Sequence, residues 1–348
     1  MKLDELLIRN IGLFNRREIT FSDSITIIEG PNASGKSTIL NSILFLCHMP
    51  VKTINQLKKN DNKSDFIGAR GIFSYKNESI PMIVEAIGGI NNGKFKKKYL
   101  LNKIETSRSQ IKPFPSCVIF NPEMVALFNS SLSNQRRFWI RCIEMLDSSF
   151  TSNWNRYLAI VRNRNSILKR IREGKALVSH LNVWSEKMIE SASVIEEQMV
   201  YWIGQIDEYV SKLSKDIKID LEIVHISELE AHLKNNFTVD IERGYTVLGS
   251  HFFTISVLLD DQNIAIYGSR GQSKVVCVEI IVALSNLLYE LLDEYPILLI
   301  DDMGAELDSE NIKIIEKMIK NSLQQKIITT INRQSLPAQL NGEFITLD

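Results

Sequence analysis

The chain has 348 residues, with Lys plus Arg 41, Asp plus Glu 41, a formal net charge of +0, 24% charged and 44% hydrophobic residues. These values exclude a disordered or collagen-like chain, point to no nucleic-acid, membrane or acidic partner from bulk charge, and suit two domains or one composite one. The four cysteines (Cys47, Cys117, Cys142, Cys277) lie at least 25 residues apart without a CxxC pair, which argues against a zinc ribbon, a redox motif or a disulfide framework.

The opening MKLDELLIRN carries acids where a signal peptide needs an apolar core, so a cytoplasmic protein is expected. Leu3 to Arg9, Ile19 to Phe21 and the β-branched run Ile25 to Ile28 read as strands. After a glycine-containing loop, Ile39, Leu40, Ile43 and Leu44 recur at helical spacing. Ile72 to Tyr75, Pro81 to Ala86 and Val118 to Phe120 read as further strands, and Asn91 to Lys98 as a hairpin by its Asn-Gly. From about Ser133 to Ile219 the chain predicts long helices, with Trp154, Leu158, Val161, Leu168 and Ile171 forming one packed seam. After Asp220 strands return, followed by a long helix from about Ser273 to Leu292. Its apolar stretch is broken by Glu279, Asn286 and Glu290, which makes it a core helix rather than a membrane span. Ile297 to Ile300 predicts a strand ending in Asp301-Asp302, then a helix, then a strand at Ile327 to Thr330.

Charge is segregated locally. Ten basic residues between Arg136 and Lys175 meet only Glu144, Asp147 and Glu173, while Glu290 to Glu310 holds eight acids and no Lys or Arg. The histidines His48, His180, His225, His232 and His251 form no metal-ligand spacing.

Two motifs carry chemistry, the second drawing its force from the presence of the first. Gly30-Pro31-Asn32-Ala33-Ser34-Gly35-Lys36-Ser37-Thr38 fits G-x-x-x-x-G-K-[ST], the P-loop, in the required strand–loop–helix setting. Small residues let backbone N–H groups wrap phosphates at a helix N-terminus, Lys36 reaches the β and γ phosphates, and the Ser37 hydroxyl binds Mg²⁺. In Pro296 to Asp302, an apolar strand delivers two carboxylates to its C-terminal edge. There Asp301 suits the Mg²⁺ shell, and Asp302 suits orienting or deprotonating an attacking water.

Further stretches carry a resemblance. Gly268-Ser269-Arg270-Gly271-Gln272, opening the long helix, resembles the S-x-G-Q signature of ATP-binding-cassette heads, and Ala305-Glu306-Leu307-Asp308 stands where such heads carry their D-loop. The order of P-loop, long insertion, signature, acidic strand and D-loop resembles the structural-maintenance-of-chromosomes and RecF families. Arg136-Arg137-Phe138, Arg164-Asn165 with Leu168-Lys169, and Leu181-Asn182-Val183-Trp184 are similar to RecF-family blocks, so the resemblance covers nearly the whole chain. Departures mark a divergent member: Gln135 replaces an arginine, Trp139-Ile140 stands where an acid is usual, and Gly249 to Thr254 lacks the family's charges.

The resemblance implies an α/β, ABC-type P-loop ATPase head split in sequence (1–132 and 221–348) around an inserted α-helical lobe (133–220). It implies ATP and Mg²⁺ as cofactors and an ATP-dependent homodimer. In that dimer Ser269, Gly271 and Gln272 cap the γ-phosphate in trans, and Asp308 crosses the seam. It further implies slow hydrolysis, binding of double-stranded or junction DNA, and a role in recombinational repair, replication and the SOS response with RecR- and RecO-like partners. Asn121-Pro122-Glu123 stands where the Q-loop of such a head lies, and is either a γ-phosphate sensor or an Asn-Pro turn. The expected DNA footprint is Arg162, Lys169 and Arg172 on one helix, extended by Lys97 with Lys96 and Lys98 on the hairpin. Two rivals remain: an SMC-like regulatory ATPase of a multi-subunit DNA-targeting defence complex, and a small-molecule kinase, which the signature argues against.

Overall fold

The computed structural model describes residues 1–47, 66–76, 78–91, 94–106, 115–235, 237–302, 321, 323–336 and 340–348. The chain divides into two compact units, one of residues 1–126 and 270–348, the other of 127–269.

The first unit holds two sheets, with strands numbered in chain order throughout. β1 (Lys2–Ile11), β2 (Phe14–Thr20), β4 (Phe66–Ser74), β5 (Met82–Asn91), β6 (Lys94–Leu101) and β7 (Ile104–Thr106) form an antiparallel sheet in the order β2-β1-β4-β5-β6-β7. On β1, Leu6 and Ile8 point inward while Leu7 and Arg9 point outward, the alternation of a strand with one wet face. β3 (Ile25–Glu29), β8 (Cys117–Phe120), β12 (Ile297–Ile300), β13 (Lys326–Thr330) and β14 (Glu343–Thr346) form a parallel sheet in the order β14-β3-β13-β12-β8. β12 and β13 are buried along their whole length, which is why both read as apolar or β-branched runs, apart from Lys326 at the start of β13.

Helix α1 (Lys36–Leu46) packs against β1, β4 and β5. The expected apolar positions Ile39, Leu40, Ile43 and Leu44 are all buried in a core that also takes in Leu6 and Ile8 of β1, Phe73 of β4, and Leu299 and Ile327 of the parallel sheet. Each such side chain contributes roughly 1.5–3 kcal/mol on leaving water. This core therefore fixes the helix whose N-terminus carries the P-loop. After β8 comes the short α2 (Pro122–Val125). Asn121 accepts the Met124 N–H on its side chain at 2.9 Å, so this segment is a turn closed by its own Asn.

The second unit holds α3 (Leu132–Leu146), α4 (Ser148–Arg172) and α5 (His180–Leu213), then β9 (Ile217–Glu222), α6 (Ile226–Asn235), α7 (Thr238–Arg243), β10 (Thr254–Leu259), β11 (Gln262–Asn263) and the short α8 (Ile264–Tyr267). The seam on α4 is present, with Trp154, Val161 and Leu168 buried. Two expectations are amended. Strands do return around Asp220, as β9 and then β10 and β11, but α6 and α7 come between them; on α6, Leu229 and Leu233, one helical turn apart, are both buried. The boundary expected at residue 220 falls inside β9, since β9 pairs with β10 in a small sheet belonging to this unit.

Helix α9 (Arg270–Leu292) returns to the first unit. It is long and apolar enough to cross a membrane by composition, yet Val276, Cys277, Ile280, Ile281 and Leu284 are buried in protein. All four cysteines are buried, and none is in a disulfide.

Candidate nucleotide site

The glycine loop leaves β3 at Glu29, whose carboxylate is gripped by Arg333: the guanidinium donates to Oε2 at 2.7 and 3.0 Å, and the Arg333 N–H donates to Oε1 at 2.9 Å. This brace anchors the last strand residue before the loop. At Gly30 a Cβ would lie 2.6 Å from Ser34 Oγ and 2.8 Å from the Leu347 carbonyl, so no larger residue fits. Gly35 sits at φ 104°, and a Cβ there would meet the Phe14 ring at 2.5 Å. Left-handed backbone and contact with an aromatic ring together demand glycine at this position.

Beyond Gly35, α1 starts with no side-chain cap and no acid in its first turn. Its early N–H groups and its positive dipole end are thus left for an anion. The Ser34 hydroxyl is buried without a hydrogen-bond partner, and Ser37 is exposed at the start of the helix. Pro31, Asn32 and Ala33 form the exposed crest of the loop, and Thr38 is half-buried behind it.

Lys36 is buried and turns back onto the loop, donating from Nζ to the carbonyls of Gly30 at 2.6 Å and Pro31 at 2.7 Å. Burial lowers its pKa, and the negative charges of Asp302 and Asp301 partly offset that drop. The ammonium is therefore held by neutral oxygens, with two carboxylates in Coulombic reach.

Those carboxylates come from the end of β12. The Asp301 N–H donates to the Phe120 carbonyl at 2.9 Å, continuing the pairing with β8. Asp302 is in the left-handed region at φ 56°, and its Oδ1 is buried without a hydrogen-bond partner. Thr329 of β13 bridges both residues, its hydroxyl donating to Asp301 Oδ1 and accepting the Asp302 N–H, each at 2.8 Å. The glycine loop and the acidic strand end thus lie together, with Asp301 and Asp302 within electrostatic reach of Lys36. An uncapped helix start, an unpartnered hydroxyl, a partly desolvated ammonium and an unpartnered carboxylate oxygen fit a polyphosphate with a divalent cation. Thr329 and Phe14 went unread in the sequence, where a lone Thr or Phe at a strand end carries no motif.

Of the signature, Ser269 ends the second unit and Arg270 opens α9. Ser269 and Gln272 are exposed, and Gly271 is half-buried. Asp308, with Ala305, Glu306 and Leu307, lies outside the described residues.

The basic run is not one solvated face. Arg162 and Lys169 are exposed on α4, as expected. Arg164, between them, is fully buried and pairs with Asp240 at 2.7 Å. Arg136 donates to the carbonyls of Phe253 at 2.6 Å and Phe252 at 3.0 Å, and Arg172 donates to the Arg243 carbonyl at 3.1 Å. Helical rotation of 100° per residue separates these roles along a single run of charge. On β6 the three lysines also part: Lys97 lies over the Phe45 ring at 5.3 Å, whereas Lys96 and Lys98 alternate to the other face, with Lys98 paired to Glu105 at 3.0 Å. Residues 92 and 93, the Asn-Gly on which the hairpin expectation rests, lie outside the described residues.

A family model described as the RecF/RecN/SMC N terminal domain matches residues 2–341. The chain belongs to that family. Its fold is accordingly the α/β RecF- and SMC-type ATPase head with a helical insert. Among curated relatives, the DNA replication and repair protein RecF of Ligilactobacillus salivarius is 28% identical over 94% of this chain and 91% of its own length. The RecF of Oceanobacillus iheyensis is 25% identical over 97% of this chain and 94% of its own. The solved structure of the recombination mediator protein RecF with ATP, of the RecFOR pathway, superposes with a TM-score of 0.86 at 23% identity, covering 99% of this chain and 95% of that one. Within the RecF/RecN/SMC family this chain is therefore similar to RecF end to end, the inserted lobe included.

Proposed function

We propose that this chain is a cytoplasmic, ATP-gated DNA-binding protein of recombinational repair and replication, acting as a RecF-type mediator with RecR- and RecO-like partners. The observation that carries the reading is the meeting of P-loop and acidic strand, with the Asp302 oxygen and Ser34 hydroxyl left unpartnered, in a chain similar to RecF over nearly its full length. Gly30 to Thr38 wrap the phosphates through backbone N–H groups, and Lys36 exchanges the Gly30 and Pro31 carbonyls for phosphate oxygens. Ser37 and Asp301 would hold Mg²⁺, which would supply charge neutralisation to the phosphates. Asp302 orients the attacking water. Ser269, Gly271 and Gln272 face the nucleotide of a second copy, with Asp308 at the seam, so ATP favours the dimer by mass action.

Three outcomes test this. Asp302→Asn keeps ATP affinity and slows hydrolysis by about a hundredfold or more, as expected for loss of a water-positioning group, so the protein stays dimeric in ATP on size exclusion. An unchanged turnover rate removes Asp302 from the chemistry. Secondly, Ser269→Arg blocks dimerisation but not ATP binding, and mixing it with Lys36→Ala restores partial ATPase, because one mixed interface pairs an intact loop with an intact signature. No recovery on mixing speaks against composite sites.

Thirdly, DNA affinity depends on ATP and falls steeply with salt, with little base preference, because phosphate contacts position without specifying. Arg162→Gln with Lys169→Gln lowers the salt slope by about 0.9 for each DNA phosphate that is no longer neutralised. Arg172 contributes less, since its guanidinium is already engaged with the Arg243 carbonyl. A double variant with the wild-type slope, measured by fluorescence anisotropy, places the footprint elsewhere.

A further inference from the structure

The acidic end of β12 does not hold its own shape. The strand stops at Ile300, and Asp302, two residues on, takes a left-handed backbone at φ 56°. A residue other than glycine takes this conformation at a cost, so a partner for its peptide helps to hold it. Register supplies the means. Ile300 pairs with Ile328 across the parallel ladder, which brings the next residue of β13, Thr329, beside the point where β12 ends. Thr329 is 0% exposed, and its single hydroxyl makes two bonds of 2.8 Å: it donates to Asp301 Oδ1 and accepts the Asp302 N–H. One oxygen atom thus sets the rotamer of the first carboxylate and the peptide that aims the second. Lys36, on the P-loop helix, feels both charges.

We propose that Thr329 is a positioning residue of the nucleotide site, its hydroxyl presetting Asp301 to meet a divalent cation and Asp302 to meet water. This rests on the ATP–Mg²⁺ reading of the site. A donor on Oδ1 stops the carboxylate from rotating and so holds it in one orientation. Mg²⁺ demands near-ideal octahedral geometry, and so it is sensitive to a ligand that is free to turn. Outer partners of metal-ligating carboxylates commonly matter by about 10–100-fold in metal affinity. Thr329→Val keeps the β-branched shape the strand needs and removes the donor and acceptor. Thr329→Ser keeps the hydroxyl.

The test titrates a fluorescent ATP analogue into the full chain across a Mg²⁺ series and in EDTA, alongside ATP turnover. For Thr329→Val, the Mg²⁺ concentration needed for half-maximal nucleotide binding rises about tenfold or more, binding in EDTA is unchanged, and kcat falls more than KM rises. Thr329→Ser stays within about twofold of wild type, well inside the loss expected without the hydroxyl. The assignment is overturned if Thr329→Val keeps the wild-type Mg²⁺ midpoint, if it loses binding equally in EDTA, or if Thr329→Ser is as impaired as Thr329→Val. Circular dichroism checks the fold, and Thr329→Ala carries the same readout should the valine not be accommodated. A wild-type protein with no Mg²⁺-dependent nucleotide binding instead removes the parent reading. A Mg²⁺-dependent wild type with an indifferent valine variant removes only the role of Thr329.

Discussion

Lys36→Ala abolishes tight ATP binding while leaving the protein folded. The ammonium is buried against two carbonyls, with its pKa lowered by desolvation. Among the described residues of the loop and its helix it is the only cation, so neither of these elements offers a substitute at the phosphates. Loss of one partner in a desolvated charged contact costs about 2–5 kcal/mol in binding. At 1.4 kcal/mol per factor of ten, that is about 30- to 3,000-fold in affinity. The free protein loses little, because the alanine gives up two hydrogen bonds but also relieves a partly desolvated charge. Calorimetric titration with ATP and a thermal melt of the same sample separate these effects. Wild-type affinity in a folded Lys36→Ala protein would sink the P-loop assignment.

Arg164→Met destabilises the helical unit by about 3–5 kcal/mol, the largest stability effect expected from a single polar substitution here. Arg164 and Asp240 are both 0% exposed, and the guanidinium donates to Asp240 Oδ2 and Thr246 Oγ1 at 2.7 Å and to Ser185 Oγ at 3.3 Å. Asp240 in turn accepts the Val247 N–H at 3.0 Å and lies 3.2 Å from His232 Nε2. One ion pair therefore ties α4 to α5, to α7 and to the strand-bound segment after it. Methionine fills the volume but strands the carboxylate in a low-dielectric interior. Removing both charges with Arg164→Met and Asp240→Leu recovers much of the loss, since a well-packed apolar pair often matches a buried ionic one. In a unit of this size the single variant lowers Tm by on the order of 10 °C. Equal melting of wild type and Arg164→Met, followed by circular dichroism, would show that the pair contributes nothing net.

The P-loop was legible in the chain because its chemistry is local: strand, glycine turn, lysine and helix follow one another, and each is dictated by residues within a few positions. The same holds for β12, whose burial on both faces writes itself as an unbroken apolar run before Asp301. Helices α6 and α7 were missed because α6 signals itself by little more than one leucine pair, Leu229 and Leu233, and α7 is only six residues long.

By itself, then, the sequence determined which segments form strands and helices around the site, and which side chains can bear charge beside a phosphate. Only the tertiary structure decided which of those charges are spent internally. Arg162, Arg164 and Lys169 look alike in the chain, yet the middle one is sealed against Asp240, a partner 76 positions away. Likewise, Thr329 acquires its place beside Asp301 from parallel pairing of strands distant in sequence. The physical reason is common to both. A side chain's role depends on the dielectric around it and on the partner opposite it, and long-range packing supplies each of these after the local elements have formed.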